Sequence, residues 1–154
     1  MEIIFKSVEN KEKLLNIILL SNPSKSTNEG FWLFDEQIKK DSNYTEINSG
    51  IWNIKYISVL LENKICGLIS YSEIYWENDN IREKPIHILG IQTLNEFSGR
   101  HLLKEYLDNI IQIAKDKGYD SLTLKPYSKS VKDLYKKYGF KDKNEFMIYG
   151  IHSN

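Results

Sequence analysis

Apolar positions along this chain change period several times, and each change marks an element. Ile3 to Val8 reads as a first strand. Leu14, Leu15, Ile18 and Leu19 make a stripe that predicts a helix over 11–20. The polar run SNPSKSTNEG, 21–30, is a turn-rich break. A short amphipathic helix is expected over 31–40, and a polar loop over 41–50. Ile54 to Leu61 then reads as a strand, Glu62-Asn63-Lys64 as a hairpin turn, and Ile65 to Trp76 as a longer strand. A charged turn over 78–85 precedes a strand over 86–94. The best helix spans 99–117, where Leu103, Tyr106, Leu107, Ile110, Ile111 and Ala114 form one apolar face and Gly118 stops it. A short strand over 121–125 follows, then Pro126. Val131, Leu134, Tyr135 and Tyr138 recur at i, i+3, i+4 and i+7, one face of a helix with Ser128 as N-cap and Gly139 as stop signal. A final strand is expected over 146–151. The order is β-α-α-β-β-β-α-β-α-β.

Composition narrows the class. The chain has 154 residues, 41% hydrophobic and 27% charged, a globular balance in the size range of one domain, 1–154. Lys plus Arg equal Asp plus Glu, so no net field draws the chain to nucleic acid or an anionic membrane, although local patches still act. Neither partner is expected. A single cysteine, Cys66, excludes an intramolecular disulfide and a Cys-rich metal site. It fits a reducing cytoplasm, and on its strand it reads as a small buried hydrophobe. The start MEIIFKSVENKEK does not read as a signal peptide, and no apolar run is long enough to cross a bilayer. The three His lack metal-ligand spacing, so no metal is expected. No Walker loop, complete Rossmann fingerprint or Ser-His-Asp spacing is present.

The stretch SKSVKDLYKKYGF, Ser128 to Phe140, resembles the C-terminal signature of the GCN5-related N-acetyltransferases. ENKICGLISY, Glu62 to Tyr71, resembles that family's hairpin, with Gly67 in the third strand. The element order is similar over nearly the whole chain. The resemblance implies a mixed α/β fold: a central, mostly antiparallel sheet, splayed between its fourth and fifth strands and flanked by helices. It further implies acetyl-CoA as co-substrate and a small-molecule or peptide primary amine as acceptor. Homodimers are common in the family. By this resemblance Tyr135 protonates the departing thiolate, which a positioned phenol can do.

In the family a helix start after the fourth strand holds the coenzyme pyrophosphate, because unpaired N–H groups and the helix dipole favour an anion there. The matching positions are Ser98, Gly99, Arg100, His101, Leu102 and Leu103. They depart from the usual Gln/Arg-x-x-Gly-x-Gly/Ala: Ser98 replaces the Gln/Arg, His101 the first glycine and Leu103 the last small residue. Arg100, His101 and Lys104 place cations where the dipole disfavours them, a penalty that a bound anion would reverse. Backbone groups of Ile91, Gln92 and Thr93 match the strand that bonds the pantetheine arm by β-augmentation and polarises the thioester carbonyl. Ser128 matches a position often held by Asn; its own chemistry is that of an N-cap, with coenzyme contact open.

For the general base, Glu73 at the end of the third strand and His87 on the fourth are the candidates, with Glu96 nearby and water or a distributed network as the alternative. Phe31, Trp32, Phe34, Tyr75 and Trp76 could wall an acceptor pocket, and Glu29, Asp35 and Glu36 could attract a cationic amine; each also reads as ordinary core or surface. Two alternatives to an acetyltransferase stay open: a non-catalytic binding module of the same fold, and a transferase using another acyl-CoA.

Overall fold

Runs of apolar residues, rather than strict alternation, build the two longest strands of the first unit. IKYISVLL and KICGLISYSE become β2 (Ile54–Leu61) and β3 (Lys64–Glu73), whose central residues are almost all buried. A strand buried on both faces needs no polar side, which is why its pattern is continuous. The structure is a computed structural model describing residues 2–8, 13, 54–73, 76–78, 81–83, 85–97, 101–126 and 128–151. Of the helix expected over 11–20 only Lys13 is described, and it is helical. The helix expected over 31–40 and its flanking loops lie outside the described residues.

The remaining elements are β1 (Ile3–Val8), β4 (Trp76–Asn78), β5 (Ile81–Glu83), β6 (Pro85–Thr93), α1 (Leu103–Lys117), β7 (Ser121–Leu124), α2 (Lys129–Lys137), β8 (Lys141–Lys143) and β9 (Phe146–Gly150). A 3-10 turn over Asn95–Phe97 follows β6. Seven strands are hydrogen-bonded in the order β1-β2-β3-β6-β7-β9-β8, and β4 and β5 form a separate pair. The chain divides into two compact units, Met1–Ser72 with Gly90–His101, and Glu73–Leu89 with Leu102–Asn154.

In the first unit β1, β2 and β3 run antiparallel, from Ile3↔Leu61 to Val8↔Tyr56 and from Leu61↔Lys64 to Ile54↔Ser72. The expected hairpin turn is a two-residue one: Glu62 and Asn63 both take left-handed φ, 51° and 66°. Two successive positive φ values match the right-handed twist of the strands they join. Cys66 is fully buried, as expected of a small hydrophobe. Its carbonyl accepts from the Leu94 N–H at 2.8 Å. Ser70 is also fully buried, and its Oγ has no hydrogen-bond partner among the described residues, an arrangement that costs about 1–3 kcal/mol.

In the second unit β6 and β7 pair parallel from Pro85↔Ser121 to Ile88↔Leu124, and β7, β9 and β8 pair antiparallel. Helix α1 packs against β7. Tyr106, Leu107, Ile110 and Ala114 are its buried residues, while Leu103 and Ile111 of the expected stripe are only half-buried. Gly118 ends α1 in the left-handed region at φ 79°. Tyr119 N–H donates to the Ala114 carbonyl at 2.8 Å, and Gly118 N–H to that of Lys115 at 3.2 Å. That pair of bonds satisfies two carbonyls which the helix end would leave open.

Three sequence expectations need correction. The charged stretch over 78–85 is not a turn alone, because it carries β5 paired with β4 (Trp76↔Glu83 to Asn78↔Ile81). The third strand, described as far as Glu73, does not include Trp76, which belongs to β4 in the separate two-stranded pair. Strand β8, Lys-Asp-Lys with every residue exposed, has no apolar position to announce it. Among the described residues no helix is long and apolar enough to cross a membrane, and no three His, Cys, Asp or Glu side chains cluster as a metal site.

Candidate functional site

Helix α2 forms as its pattern predicts. Ser128 is extended, and its Oγ accepts from the Val131 N–H at 3.2 Å, so its role as N-cap is established. Ser128 Oγ also lies 3.1 Å from Ser130 Oγ. At the other end Gly139 adopts φ 94°; a Cβ there would stand 3.1 Å from the Tyr149 ring. Phe140 N–H donates to the Tyr135 carbonyl at 3.2 Å, and Gly139 N–H to that of Lys136 at 3.1 Å. The tight reversal swings Phe140 back beneath the helix, where its ring meets Tyr135 edge to face at 5.3 Å and 75°. Tyr135 is thereby half-buried and held by its ring.

Helix α1 starts without side-chain help. Leu102, buried, occupies its N-cap position and makes no side-chain cap bond. The preceding residue, His101, is exposed and lies at φ 57°, the left-handed region. A glycine takes that conformation without strain, whereas a residue with Cβ costs about 1–2 kcal/mol. His101 therefore keeps the backbone turn expected of a glycine while retaining a side chain. Leu103 is half-buried. Lys104 is committed elsewhere: its Nζ donates to Asp108 Oδ2 at 2.8 Å, a bond that raises the ammonium pKa. Of the three cations expected at this helix start, Lys104 is thus paired with an acid of its own helix. Ser98, Gly99 and Arg100 lie outside the described residues.

On β6, Ile91 and Thr93 are half-buried and Gln92 is buried. Gln92 Nε2 donates to the Thr93 carbonyl at 3.3 Å. Strand β6 continues to Thr93, whereas its pairing with β7 ends at Ile88↔Leu124, the last residue of β7.

The two base candidates occupy unlike settings. Glu73, whose side chain is 11% exposed, accepts from the Nζ of Lys117, 40% exposed, at the C-terminal end of α1. Tyr119 lies against the same carboxylate: burial first, and then the Glu73 charge, push its phenol pKa up. His87 is half-buried, and its Nδ1 lies 2.8 Å from Thr123 Oγ1, its register partner across the parallel pair. Phe146 meets the imidazole edge to face at 5.8 Å and 78°. Burial holds the His87 pKa below the usual 6.5, so the ring is neutral at pH 7. Glu96 is exposed in the 3-10 turn.

Of the sequence candidates, Tyr135, Glu73, His87, Leu102, Leu103 and Ser128 belong to the second unit, and Ile91, Gln92, Thr93 and His101 to the first. Phe31, Trp32, Phe34, Tyr75, Glu29, Asp35 and Glu36 lie outside the described residues, and Trp76 opens β4. The partners that decide the chemistry of Glu73 and His87, namely Lys117, Tyr119, Thr123 and Phe146, went unnoticed in the sequence. No motif marks them; only strand register and helix length place them.

A mixed sheet, a long helix after β6 and a short Tyr-bearing helix after β7 define an α/β fold of the acyl-CoA N-acyltransferase class. The acetyltransferase (GNAT) family profile matches residues 13–140. The chain belongs to this GNAT acetyltransferase family. Similar solved structures include a ribosomal-protein alanine N-acetyltransferase from Escherichia coli, with 12% identity, 99% of this chain and 96% of that one covered, and TM-score 0.65. A predicted acetyltransferase from Clostridium acetobutylicum, solved with acetyl-CoA, has 19% identity, coverage of 94% and 93%, and TM-score 0.63. A structure from Desulfovibrio desulfuricans assigned to the GNAT family has 9% identity, coverage of 98% and 100%, and TM-score 0.69. No curated protein matches the chain.

Proposed function

We propose that this protein transfers an acetyl group from acetyl-CoA directly to a primary amine. One observation carries the reading within the family: α1 begins with no side-chain cap. Its first-turn N–H groups suit the pyrophosphate of the coenzyme, with the helix dipole adding to the attraction. Ser98, Gly99, Arg100 and His101 would complete that turn. The pantetheine arm would extend along the Ile91–Thr93 backbone, beyond the last β6–β7 pair, and an N–H there would polarise the thioester carbonyl.

In the reaction the amine lone pair attacks the carbonyl carbon. The C–N bond forms, the C–S bond breaks, and the thiolate takes the Tyr135 hydroxyl proton. The amine nitrogen sheds its extra proton to a base. His87 suits that role better than Glu73: its imidazole is neutral, whereas the Glu73 carboxylate is already engaged by Lys117 and Tyr119. The side chains of His101 and Leu103 favour a second reading, in which the fold binds a partner and the coenzyme only weakly. Incubation with acetyl-CoA and a panel of primary amines, with free thiol and acetylated product both measured, tests the first reading. Turnover that needs both substrates supports it; no thiol release with any amine overturns it.

A further inference from the structure

Strand register sets Thr123 beside His87 before any chemistry is considered. The two are partners in the parallel β6–β7 pair, and both are half-buried. Thr123 is β-branched, so few rotamers are open to it on a strand, and its hydroxyl has a restricted place. The contact runs from ring Nδ1 to Oγ1 at 2.8 Å. Phe146 of β9 meets the same ring edge to face at 5.8 Å and 78°. One contact is polar and directional, the other apolar. Together they fix the plane of the imidazole and the nitrogen that meets Thr123.

A neutral hydroxyl differs from the other partners a strand could offer. Valine has nearly the same shape and no polar atom, whereas a carboxylate would add a charge and raise the imidazole pKa. Burial is the cause of the low His87 pKa, and no charged group among the described residues contributes. Lys141 of β8 stands in the same register row, but Thr123 and Ile148 separate it from His87. Of the two ways to place the proton, only one lets the bond outlast a reaction. With Nδ1–H donating to Thr123 Oγ1, the bond serves both the imidazole and the imidazolium, whose two nitrogens each carry a proton. With the hydroxyl donating to Nδ1, a proton arriving on that nitrogen would break the bond.

We propose that Thr123 is a positioning residue for acetyl transfer: its Oγ1 accepts from His87 Nδ1–H and so keeps a lone pair on Nε2 for the proton of the amine. This rests on the reading of His87 as the base. As the C–N bond forms, the proton leaves the amine nitrogen, joins Nε2, and later passes from the imidazolium to solvent. The Nδ1–H bond to Thr123 is the same before and after, so no side chain has to turn when the charge appears. Thr123 touches neither coenzyme nor amine in this scheme; it acts through the ring.

Nitrogen NMR of protein labelled at histidine reads the ring without any reaction, at about pH 8, above the ordinary imidazole range. The His87 signals are those that vanish in His87→Gln, which leaves His101 and His152. Wild type should show Nδ1 protonated and Nε2 bare. Thr123→Val, which keeps the branched shape and Phe146, should let the Nε2–H form grow, and Thr123→Ser should reverse that. With acetyl-CoA and an amine, Thr123→Val should lower kcat roughly two- to tenfold, the worth of one neutral hydrogen bond, with the acetyl-CoA KM unchanged. Thr123→Ser should recover most of the loss. The proposal is overturned by an Nε2–H ring in wild type, by an unchanged ring in folded Thr123→Val, by equal kcat in wild type and Thr123→Val, or by equal losses in the Val and Ser variants. A wild type that transfers to no amine overturns the base reading, and with it the role in transfer, while the ring spectra still report whether Thr123 holds the proton.

Discussion

His87 Nδ1 and Thr123 Oγ1 stand 2.8 Å apart across the parallel β6–β7 pair, and this contact decides what the imidazole can do. If Nδ1 carries the proton and donates to Thr123, the Nε2 lone pair can accept a proton. If Thr123 donates instead, Nε2 carries the hydrogen and the base is lost. A base at His87 therefore requires the first arrangement.

Burial holds the His87 pKa below 6.5, so between the folded and unfolded values the unfolded chain binds more protons. Its contribution to stability is fully present above pH 6.5 and is lost as pH falls toward the folded pKa. Thermal melts of wild type and His87→Gln across this window check the sign: wild type should lose more stability on acidification than the variant.

Glu73 joins the end of β3 to α1 through Lys117. Lys117 is partly solvated, so Glu73→Gln should cost only about 0.5–1 kcal/mol in chemical denaturation. Because the Glu73 charge helps to raise the Tyr119 pKa, the variant should also lower the pH at which the Tyr119 phenolate appears in an ultraviolet titration. If the acetyl-transfer rate of the variant keeps its dependence on rising pH, Glu73 is a strut rather than the base.

The left-handed His101 predicts a gain from a mutation. His101→Gly removes strain of about 1–2 kcal/mol and adds chain entropy worth about 0.5–1 kcal/mol to the unfolded state. Stability should rise by about 0.5–1 kcal/mol. Acetyl-CoA affinity should rise as well, since no Cβ then stands at the turn. Calorimetry of both forms reads the two effects separately.

Tyr135→Phe keeps the ring that packs on Phe140 and removes only the hydroxyl. Turnover should fall roughly 100-fold, as for loss of a general acid, with little change in melting temperature. A variant with full turnover would make Tyr135 a packing residue.

The fold was legible in the sequence where one physical signal dominated. Helix α1 announced itself through its apolar stripe and Gly118, the β2–β3 hairpin through Glu62-Asn63 between apolar runs, and α2 through Ser128, its Tyr spacing and Gly139. Strand β8 did not, because an exposed edge strand of Lys-Asp-Lys carries no hydrophobic period. Strands β4 and β5, Trp-Glu-Asn and Ile-Arg-Glu, hid because one apolar residue in three makes no period. Of the candidate site, the N-cap role of Ser128 and the helical place of Tyr135 could be read from spacing. The settings of His87 and Glu73 could not, since Thr123 and Lys117 lie 36 and 44 residues away and meet them only through the fold.

Coenzyme binding tests the central claim most directly. A ligand that binds only the folded chain must raise its melting temperature. Titration of the wild-type protein with acetyl-CoA should give a saturable rise in melting temperature, accompanied by calorimetric heats that fit one site per chain. No shift and no heat at millimolar acetyl-CoA would contradict the account.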